Sequence, residues 1–395
     1  MSEVANIPQL RFPEFGDNWE EKKLGNVTSI VMGQSPDSTS YNSNGIGLYL
    51  IQGNADIKKR KTLPRVWTDT PTKECKVGDI IMTVRAPVGA VAKSIHNACI
   101  GRGVCAIRNN QHSVSNYIYQ FLLSFEKKWV KFEQGSTFTA VNTKDVKSLK
   151  LILPPVQEQQ KIAAFLSAVD NKIEQLSKKQ ELLGEYKKGL MQQIFSQAIR
   201  FKADDGCDFP DWEEKSLGEL FNYKNGGSFE NEVVKDGLYN LITLNSITID
   251  GELKNEHKKI NSFDNSLKIN DLIMVLSDVA HGNFLGLTAI IPEDNSYVLN
   301  QRMGALKSKG LNNVVFLRLL INYNQKYFKL HGQGSSQQNL SKGDILKFEL
   351  LLPNRNEQQK IANFLSSIDT KIEQVGKQLD ESKQFKKALL QQMFV

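Results

Sequence analysis

The sequence predicts an α/β (α+β) fold in which two globular domains are separated by two long, antiparallel coiled-coil helices, as a pseudo-two-fold internal repeat. Residues 157–195 and 356–394 share 21 identities in 39 aligned positions, so the same segment occurs twice. In both copies aliphatic residues recur at alternating spacings of four and three, which is the heptad pattern of a coiled coil. The regions before the copies have short β-rich runs separated by Asn, Gly and Ser turns, which predict compact domains containing strands.

The repeat extends beyond the helical segments. Glu158 aligns with Glu357 at an offset of 199 positions, and WEEKKLG at Trp19 aligns with WEEKSLG at Trp212 at an offset of 193. Further matches join VGDIIMTV (77–84) to INDLIMVL (269–276), QGST (134–137) to QGSS (333–336), and DVKSLKLILP (145–154) to DILKFELLLP (344–353). Two near-copied helices beside two diverged regions indicate a shared frame with two different recognition surfaces.

These landmarks divide the chain into six segments. They are an N-terminal segment (1–20), a first globular domain (21–155), a central helix (156–196), a linker (197–213), a second globular domain (214–354) and a C-terminal helix (355–395). Each long helix has about 40 residues and is therefore about 60 Å long. A two-fold arrangement makes these helices antiparallel and places the N-terminal segment near the end of the second one. Residues 113–132 and 311–330 each predict an amphipathic helix within a domain.

Four aromatic residues lie beside the heptad stripes. They are Phe165 and Tyr186 in the first copy, and Phe364 and Phe385 in the second. An isolated helix with one apolar stripe must bury that stripe, and the simplest partner is the other copy. The aromatic residues then form a second apolar edge for a partner protein's helices, or they only widen the intramolecular contact. The sequence leaves both interpretations open.

Composition favours a folded, soluble, cytoplasmic protein. The chain has 395 residues, 40% hydrophobic and 24% charged, with no apolar run of the roughly 20 residues that span a bilayer. Its four cysteines are scattered without a CxxC pair, which favours reduced thiols over a disulfide frame or a zinc site. The formal net charge of +7 permits nucleic-acid binding without requiring it.

Motifs for catalysis are absent from the sequence. There is no NPPY-like adenine methyltransferase motif, no GxxxxGK[ST] nucleotide loop and no HExxH pair, and the five histidines form no spaced cluster. We therefore expect a non-catalytic chain without a metal site.

Basic residues in short turns are candidates for phosphate or base contacts. KKRK (58–61) places four cations beside a strand-like run, TVRAPVG (83–89) places Arg85 at a strand end, and GRG and NQRMG place Arg102 and Arg302 in comparable turns. A solvated loop explains KKRK equally well. A buried or strand-capping role explains each arginine equally well.

The doubled block LPPVQEQQKIAAFLSAVDNKIEQ and LLPNRNEQQKIANFLSSIDTKIEQ resembles the specificity (S) subunit of type I restriction-modification enzymes. GQSPDSTSYN (33–42), the QGST and QGSS turns and the opening PQLRFPEF also fit, so the resemblance covers essentially the whole chain. The second half departs from this pattern, because GGSFENE (226–232) lacks the Ser-Pro-x-x-x-x-Tyr portion of the first. This departure supports different targets for the two halves.

The resemblance implies two target-recognition domains, each reading one half of a bipartite site in double-stranded DNA. It implies that the helices set the spacer and dock two methyltransferase (M) subunits, with restriction (R) subunits in the full complex. Adenine methylation, S-adenosylmethionine, ATP and Mg then belong to the partner subunits. A coiled-coil scaffold that binds no DNA and a nuclease with an unrecognised site are the competing hypotheses.

Polar residues at strand ends and in Gly-rich turns are the predicted DNA contacts. Those of the first domain are Gln34, Ser35, Lys58, Lys59, Arg60, Arg85, Arg102, Ser136 and Thr137. Those of the second are Ser277, Asp278, His281, Asn283, Arg302, Gln333, Ser335 and Ser336. Ser136 and Ser335 have a simpler alternative role, which is to satisfy the backbone of their turns.

Overall fold

A computed structural model describes residues 7–133, 140–264, 267–279 and 282–395. The chain folds as two compact units. The first unit comprises Met1–Lys179 with Val375–Val395, and the second comprises Gln180–Gln374. Each unit therefore contains one globular domain, one half of the first long helix and one half of the second. None of the described helices is long and apolar enough to cross a membrane.

The first unit has short strands and four helices among its described residues up to the end of the first long helix. The strands are β1 (Glu20–Lys23), β2 (Thr28–Met32), β3 (Tyr41–Asn42), β4 (Leu48–Ile51), β5 (Ile57–Lys58), β6 (Lys61–Thr62), β7 (Val66–Thr68), β8 (Glu74–Cys75), β9 (Ile80–Thr83), β10 (Val91–Lys93), β11 (Ala98–Ile100), β12 (Val104–Asn109) and β13 (Lys150–Leu153). The helices are α1 (Leu24–Val27), α2 (Ser115–Glu133), α3 (Thr143–Ser148) and α4 (Val156–Phe195), with 3₁₀ turns at Ser38–Ser40 and Asn54–Asp56.

Its sheets have the strand orders β2-β12-β9-β10-β6-β5, β3-β7-β4-β11-β8 and β1-β13. The main core lies between the first of these sheets and the helices. Met82 and Ile107 of the sheet pack there with Leu122 of α2 and Leu166 of α4. Most pairings in this unit are antiparallel.

The second unit repeats this plan. Its strands are β14 (Glu213–Ser216), β15 (Phe221–Asn225), β16 (Tyr239–Ile242), β17 (Lys258–Ile260), β18 (Leu272–Val275), β19 (Ser277–Val279), β20 (Thr288–Ile290), β21 (Tyr297–Leu299), β22 (Met303–Ser308), β23 (Gln337–Asn339) and β24 (Glu349–Leu352). Its helices are α5 (Leu217–Leu220), α6 (Val314–Tyr323), α7 (Gln325–His331), α8 (Lys342–Leu346) and α9 (Arg355–Gln392), with 3₁₀ turns at Glu230–Glu232 and Leu244–Ser246. The sheets have the orders β15-β22-β18-β20, β17-β16-β21, β14-β24 and β19-β23.

One helix prediction is confirmed and the other is wrong in one respect. Helix α2 forms where residues 113–132 predict it. Residues 311–330 form two helices, α6 and α7, because Asn324 interrupts the first. The Asn324 side chain donates a hydrogen bond to the Leu320 carbonyl at 2.9 Å, and thereby competes with the helical backbone pattern.

The long helices are antiparallel, as predicted. In the first unit Lys386 of α9 pairs with Asp170 of α4. In the second unit Lys187 of α4 pairs with Asp369 of α9 at 2.6 Å. Residue numbers that increase along α4 therefore pair with residue numbers that decrease along α9. The two ion pairs are related by the 199-residue repeat.

The start of each long helix, which we call the helix foot, holds a buried carboxylate. In the first unit Glu158 accepts hydrogen bonds from Arg11 Nε at 2.7 Å and from Trp19 Nε1 at 3.2 Å. Its side chain is fully buried, and the ion pair raises the pKa of Arg11. The backbone N–H of Leu10 also donates to the Gln392 carbonyl at 2.9 Å, so the described part of the N-terminal segment reaches the end of α9, as predicted.

The second helix foot uses the same contacts. Glu357 accepts from Arg200 Nη2 at 2.8 Å and from Trp212 Nε1 at 3.1 Å, and the Ile199 N–H donates to the Gln193 carbonyl at 3.2 Å. Residues after α4 thus repeat the role of the N-terminal segment. These contacts fix each domain to the foot of its helix.

Candidate nucleic-acid interface

In the first unit the loop after β2 contacts the turn before β12, and in the second unit the loop after β15 contacts the turn before β22. We call each of these contact regions a polar corner. In the first unit the Gly33 N–H donates to the Val104 carbonyl at 3.0 Å, and the Val84 N–H donates to the Gly103 carbonyl at 2.9 Å. A Cβ atom on Gly33 would collide with the Gly101 carbonyl oxygen. The GQS and GRG motifs therefore touch through their backbones, which only glycine permits at this distance.

The second polar corner has the same backbone contacts. The Gly226 N–H donates to the Met303 carbonyl, and the Leu276 N–H donates to the Arg302 carbonyl, both at 3.0 Å. A Cβ atom on Gly226 would collide with the Asn300 carbonyl oxygen. The two corners are therefore equivalent in backbone structure.

A third backbone segment completes each corner. In the first unit the Val141 N–H donates to the Val84 carbonyl at 2.9 Å, which places Arg85 opposite Ala140. In the second unit the Leu340 N–H donates to the Leu276 carbonyl at 2.8 Å, and Ser277 lies opposite Asn339. Each corner thus gathers side chains from three distant parts of the sequence.

The first corner brings together four of the predicted DNA contacts. The Ser35 hydroxyl accepts a hydrogen bond from the Arg102 backbone N–H at 3.1 Å. Gln34, Arg85 and Arg102 have exposed side chains. Ser136 and Thr137 lie outside the described residues.

The second corner forms a polar cavity of about 390 Å³. Ser277 and Arg302, both predicted, line it. Four amides that the sequence analysis missed line it too: Asn225, Gln301, Gln337 and Asn339. They come from three separate segments, because Gln337 and Asn339 both belong to β23, and the pairing of distant strands brings them together.

Hydrogen bonds orient two of these four amides, Gln337 and Asn225. The Gln337 amide nitrogen donates to the Ser277 hydroxyl. The Tyr223 hydroxyl donates to the Asn225 side-chain carbonyl, and burial raises the Tyr223 pKa to about 12, so the phenol keeps its proton. Among the residues that the structure describes, none accepts a hydrogen bond from the Asn225 amide nitrogen, so its N–H groups are available as donors.

Arg102 and Arg302 lie in equivalent turns but not at equivalent positions. The backbone contacts align Gly103 with Arg302, since their carbonyls accept from Val84 and Leu276 respectively. The predicted equivalence of Arg102 and Arg302 is therefore wrong by one residue. The short motifs GRG and NQRMG do not define the register, whereas the strand hydrogen bonds do.

The KKRK stretch lies in a hairpin away from these contacts. Lys59 and Arg60 have positive φ angles of 48° and 62°, which is the geometry of a tight turn between β5 and β6. Lys58 is exposed. The Arg60 guanidinium binds both carboxylate oxygens of Glu126 and the Val91 carbonyl, so the structure gives it an intramolecular role.

In the second unit Asp278 has a structural role. Its buried carboxylate accepts from the backbone N–H groups of Val279 and Phe284, both at 2.8 Å, and so connects these two residues. Asn283 is exposed and accepts from Lys329 Nζ at 3.3 Å. His281 lies outside the described residues.

Gln333, Ser335 and Ser336 have exposed side chains in the turn before β23. The Gln333 backbone exchanges hydrogen bonds with Asn339 at 2.9 Å in each direction. This turn therefore projects beside the second polar corner.

The four aromatic residues predicted beside the heptad stripes divide into two pairs. Phe165 packs edge-on against Phe12 at 5.8 Å between ring centroids, and Phe364 packs against Phe201 at 5.5 Å. Tyr186 and Phe385 are 56% and 54% exposed. Through these ring contacts the first pair packs against the N-terminal segment and the linker, not against the other long helix, whereas the second pair remains on the surface.

The described residues contain no group of three or more His, Cys, Asp or Glu side chains that could hold a metal ion. Burial raises the pKa of the Cys105 thiol to about 12 and also raises that of Cys75, so both thiols are protonated at neutral pH.

Comparison with known proteins gives one consistent family. Residues 16–183 and 210–381 match the model of the type I restriction modification DNA specificity domain. The chain is 37% identical to the type I restriction enzyme MjaX specificity subunit of Methanocaldococcus jannaschii over 204 residues, a match that covers 51% of this chain and 46% of that relative. It is 23% identical to the MjaVIII specificity subunit of the same organism, over 96% of this chain and 92% of that one.

Among solved structures, the type I restriction-modification S subunit from M. genitalium shares the fold. Its TM-score is 0.64 at 19% sequence identity, and the match covers 98% of this chain and 99% of that chain.

Proposed function

Because this chain belongs to the family of type I restriction modification DNA specificity domains, we propose that it is the non-catalytic subunit that selects the DNA sequence for a type I restriction-modification complex. The target-recognition domains are then 21–155 and 214–354, and each reads one half of a bipartite site. The observation that supports this most directly is the pair of polar corners, which share backbone contacts and differ in side chains.

The chemistry of the corners suits base recognition. Arginine reads guanine through two hydrogen bonds, and asparagine or glutamine reads adenine in the same way. The second corner presents one guanidinium and four amides, with no carboxylate among its described lining residues. The first presents Gln34, Ser35, Arg85 and Arg102 instead. Different side chains on one backbone frame give different half-sites.

Other cations would supply affinity without sequence information. Lys58 and Lys59 lie at a hairpin tip, and the chain has a net charge of +7. Phosphate contacts of this kind make binding strongly dependent on salt. We assign these lysines to the DNA backbone and leave Arg60 with Glu126.

The long helices would fix the spacing of the half-sites. Helix α4 has 40 residues and α9 has 38, so each is about 60 Å long and exceeds one turn of B-DNA, about 34 Å. Inserting one helical turn before residue 180, matched by one before residue 375, should lengthen the unread spacer while both half-sites stay unchanged. Unaltered spacing in a folded insertion variant would contradict this role.

Docking of two methyltransferase subunits is the remaining part of the proposal. Tyr186 and Phe385 are equivalent exposed aromatic residues, one on each helix, and aromatic side chains are enriched in protein interfaces. The methyltransferase subunits would carry S-adenosylmethionine and methylate adenine. Restriction subunits would add ATP- and Mg-dependent cleavage.

The test is to co-express the chain with its neighbouring methyltransferase subunit and to map modified adenines by single-molecule sequencing. We expect a two-part motif that disappears when this chain is omitted. An active, chain-bound methyltransferase that shows no chain-dependent modification would support the scaffold hypothesis instead.

A further inference from the structure

A surface groove of about 740 Å³ lies in the first unit, away from the polar corner residues. It is bordered by α2, α4 and the last turns of α9. Its floor is apolar and includes the half-buried Leu123, Ile173 and Leu390. Half-buried apolar side chains at the base of a groove can contact a partner once water is displaced.

The rim of the groove is basic. Five lysines border it, together with Arg60. The two side-chain carboxylates that line the groove are already paired, since Glu126 contacts Arg60 and Asp170 contacts Lys386. Within the described part of the chain, Lys127 and Lys387 have no acidic partner. The groove therefore has an unbalanced positive charge around an apolar floor.

We propose that this groove binds an acidic, amphipathic segment of a protein partner, with apolar side chains on the floor and carboxylates at Lys127 and Lys387. DNA fits less well, because a phosphate backbone would match the rim but leave the apolar floor uncovered. A protein segment satisfies both features. In the complex proposed above the partner is the methyltransferase subunit, so this inference rests on the proposed function.

The groove is distinct from the surface around Phe385, the exposed aromatic residue of α9 proposed above for methyltransferase docking. At 3.6 residues per turn, Phe385 lies about 160° around α9 from both Lys383 and Lys387. Lys383 and Lys387 line the groove and Phe385 does not. A partner that uses both surfaces would hold α9 from two sides.

The experiment compares two charge-reversal variants in the full chain. Lys127→Glu with Lys387→Glu changes the rim, and Lys144→Glu with Lys342→Glu makes the same charge change at exposed lysines elsewhere. We expect the rim variant to bind the methyltransferase subunit about tenfold more weakly, with a smaller salt dependence. The control variant should bind within about twofold of wild type. Thermal melts of both variants establish that they are folded.

Zero-length carbodiimide cross-linking of the wild-type complex gives a second readout. We expect Lys127 or Lys387 to be joined to aspartate or glutamate of the methyltransferase. Normal methyltransferase binding by the rim variant, without such cross-links, would overturn the groove assignment alone. Normal methyltransferase binding with weakened DNA binding would assign the groove to nucleic acid and overturn the proposal. A wild-type chain that binds no methyltransferase would overturn the docking part of the proposed function as well.

Discussion

The helix feet and the polar corners have diverged to very different extents between the two halves. Each foot has the same tryptophan, arginine and buried glutamate, with the same hydrogen-bond pattern. Each corner keeps its backbone hydrogen bonds while its side chains differ. The constant part therefore holds the frame and the variable part faces outward, which is what a protein needs to read two sequences with one architecture.

Removing the buried carboxylate tests whether the feet are equivalent. Glu158→Ala leaves Arg11 and the Trp19 N–H without their acceptor, and we expect a loss of about 3 kcal/mol in the free energy of unfolding. Glu357→Ala should cost less, about 2 kcal/mol, since Arg200 is 25% exposed and Arg11 is 12% exposed. Urea unfolding, with hydrogen exchange to localise the change to one unit, measures both. Glu21→Ala, at an exposed strand residue, is the control.

An added methyl group tests the difference between Gly103 and Arg302. A Cβ atom on Gly103 would collide with the Gln52 carbonyl oxygen, whereas the equivalent Arg302 already has a side chain. We expect Gly103→Ala to cost about 2 kcal/mol through overpacking and to damage reading of the first half-site. Stability equal to wild type would show that the first corner adapts to the methyl group.

Arg302→Ala tests the second corner alone. We expect one position of the second half-site to become degenerate, by about 1–3 kcal/mol of discrimination, while the first half-site is unchanged. Methylation mapping of the variant and of Gln301→Ala, its neighbour in the cavity, separates their contributions. An unchanged motif would remove Arg302 from base recognition and leave it as a cavity-lining residue.

Most of the frame could be predicted from the sequence because it is local and occurs twice. The heptads of α4 and α9 and the 199-residue offset predict two antiparallel helices, and the ion pairs Lys386–Asp170 and Lys187–Asp369 have that geometry. The position of the N-terminal segment followed from the same symmetry. Repetition acts here as an internal comparison that a single copy would not provide.

The second corner could be predicted only in part. Ser277 stood out because it follows the strand motif INDLIMVL, and Arg302 stood out because it lies in the NQRMG turn. Asn225, Gln337 and Asn339 reach the same cavity through strand pairings between residues far apart in the chain, which no local pattern reports. Asn324 is a similar case, because its side-chain bond to the Leu320 carbonyl divides a segment whose apolar period continues without a break.

The smallest effect concerns the ion pairs between the long helices. Lys386 pairs with Asp170, which also accepts a hydrogen bond from Gln120 Nε2 at 2.7 Å, whereas Lys187 is the one side-chain partner of Asp369 among the residues that the structure describes. We expect Asp170→Asn to cost about 1 kcal/mol and Asp369→Asn about 0.5 kcal/mol, since these pairs are partly exposed. Urea unfolding of both variants in low and high salt measures the difference. If Gln120→Ala abolishes it, the extra hydrogen bond is the cause; if the difference persists, the asymmetry arises from packing around the helices instead.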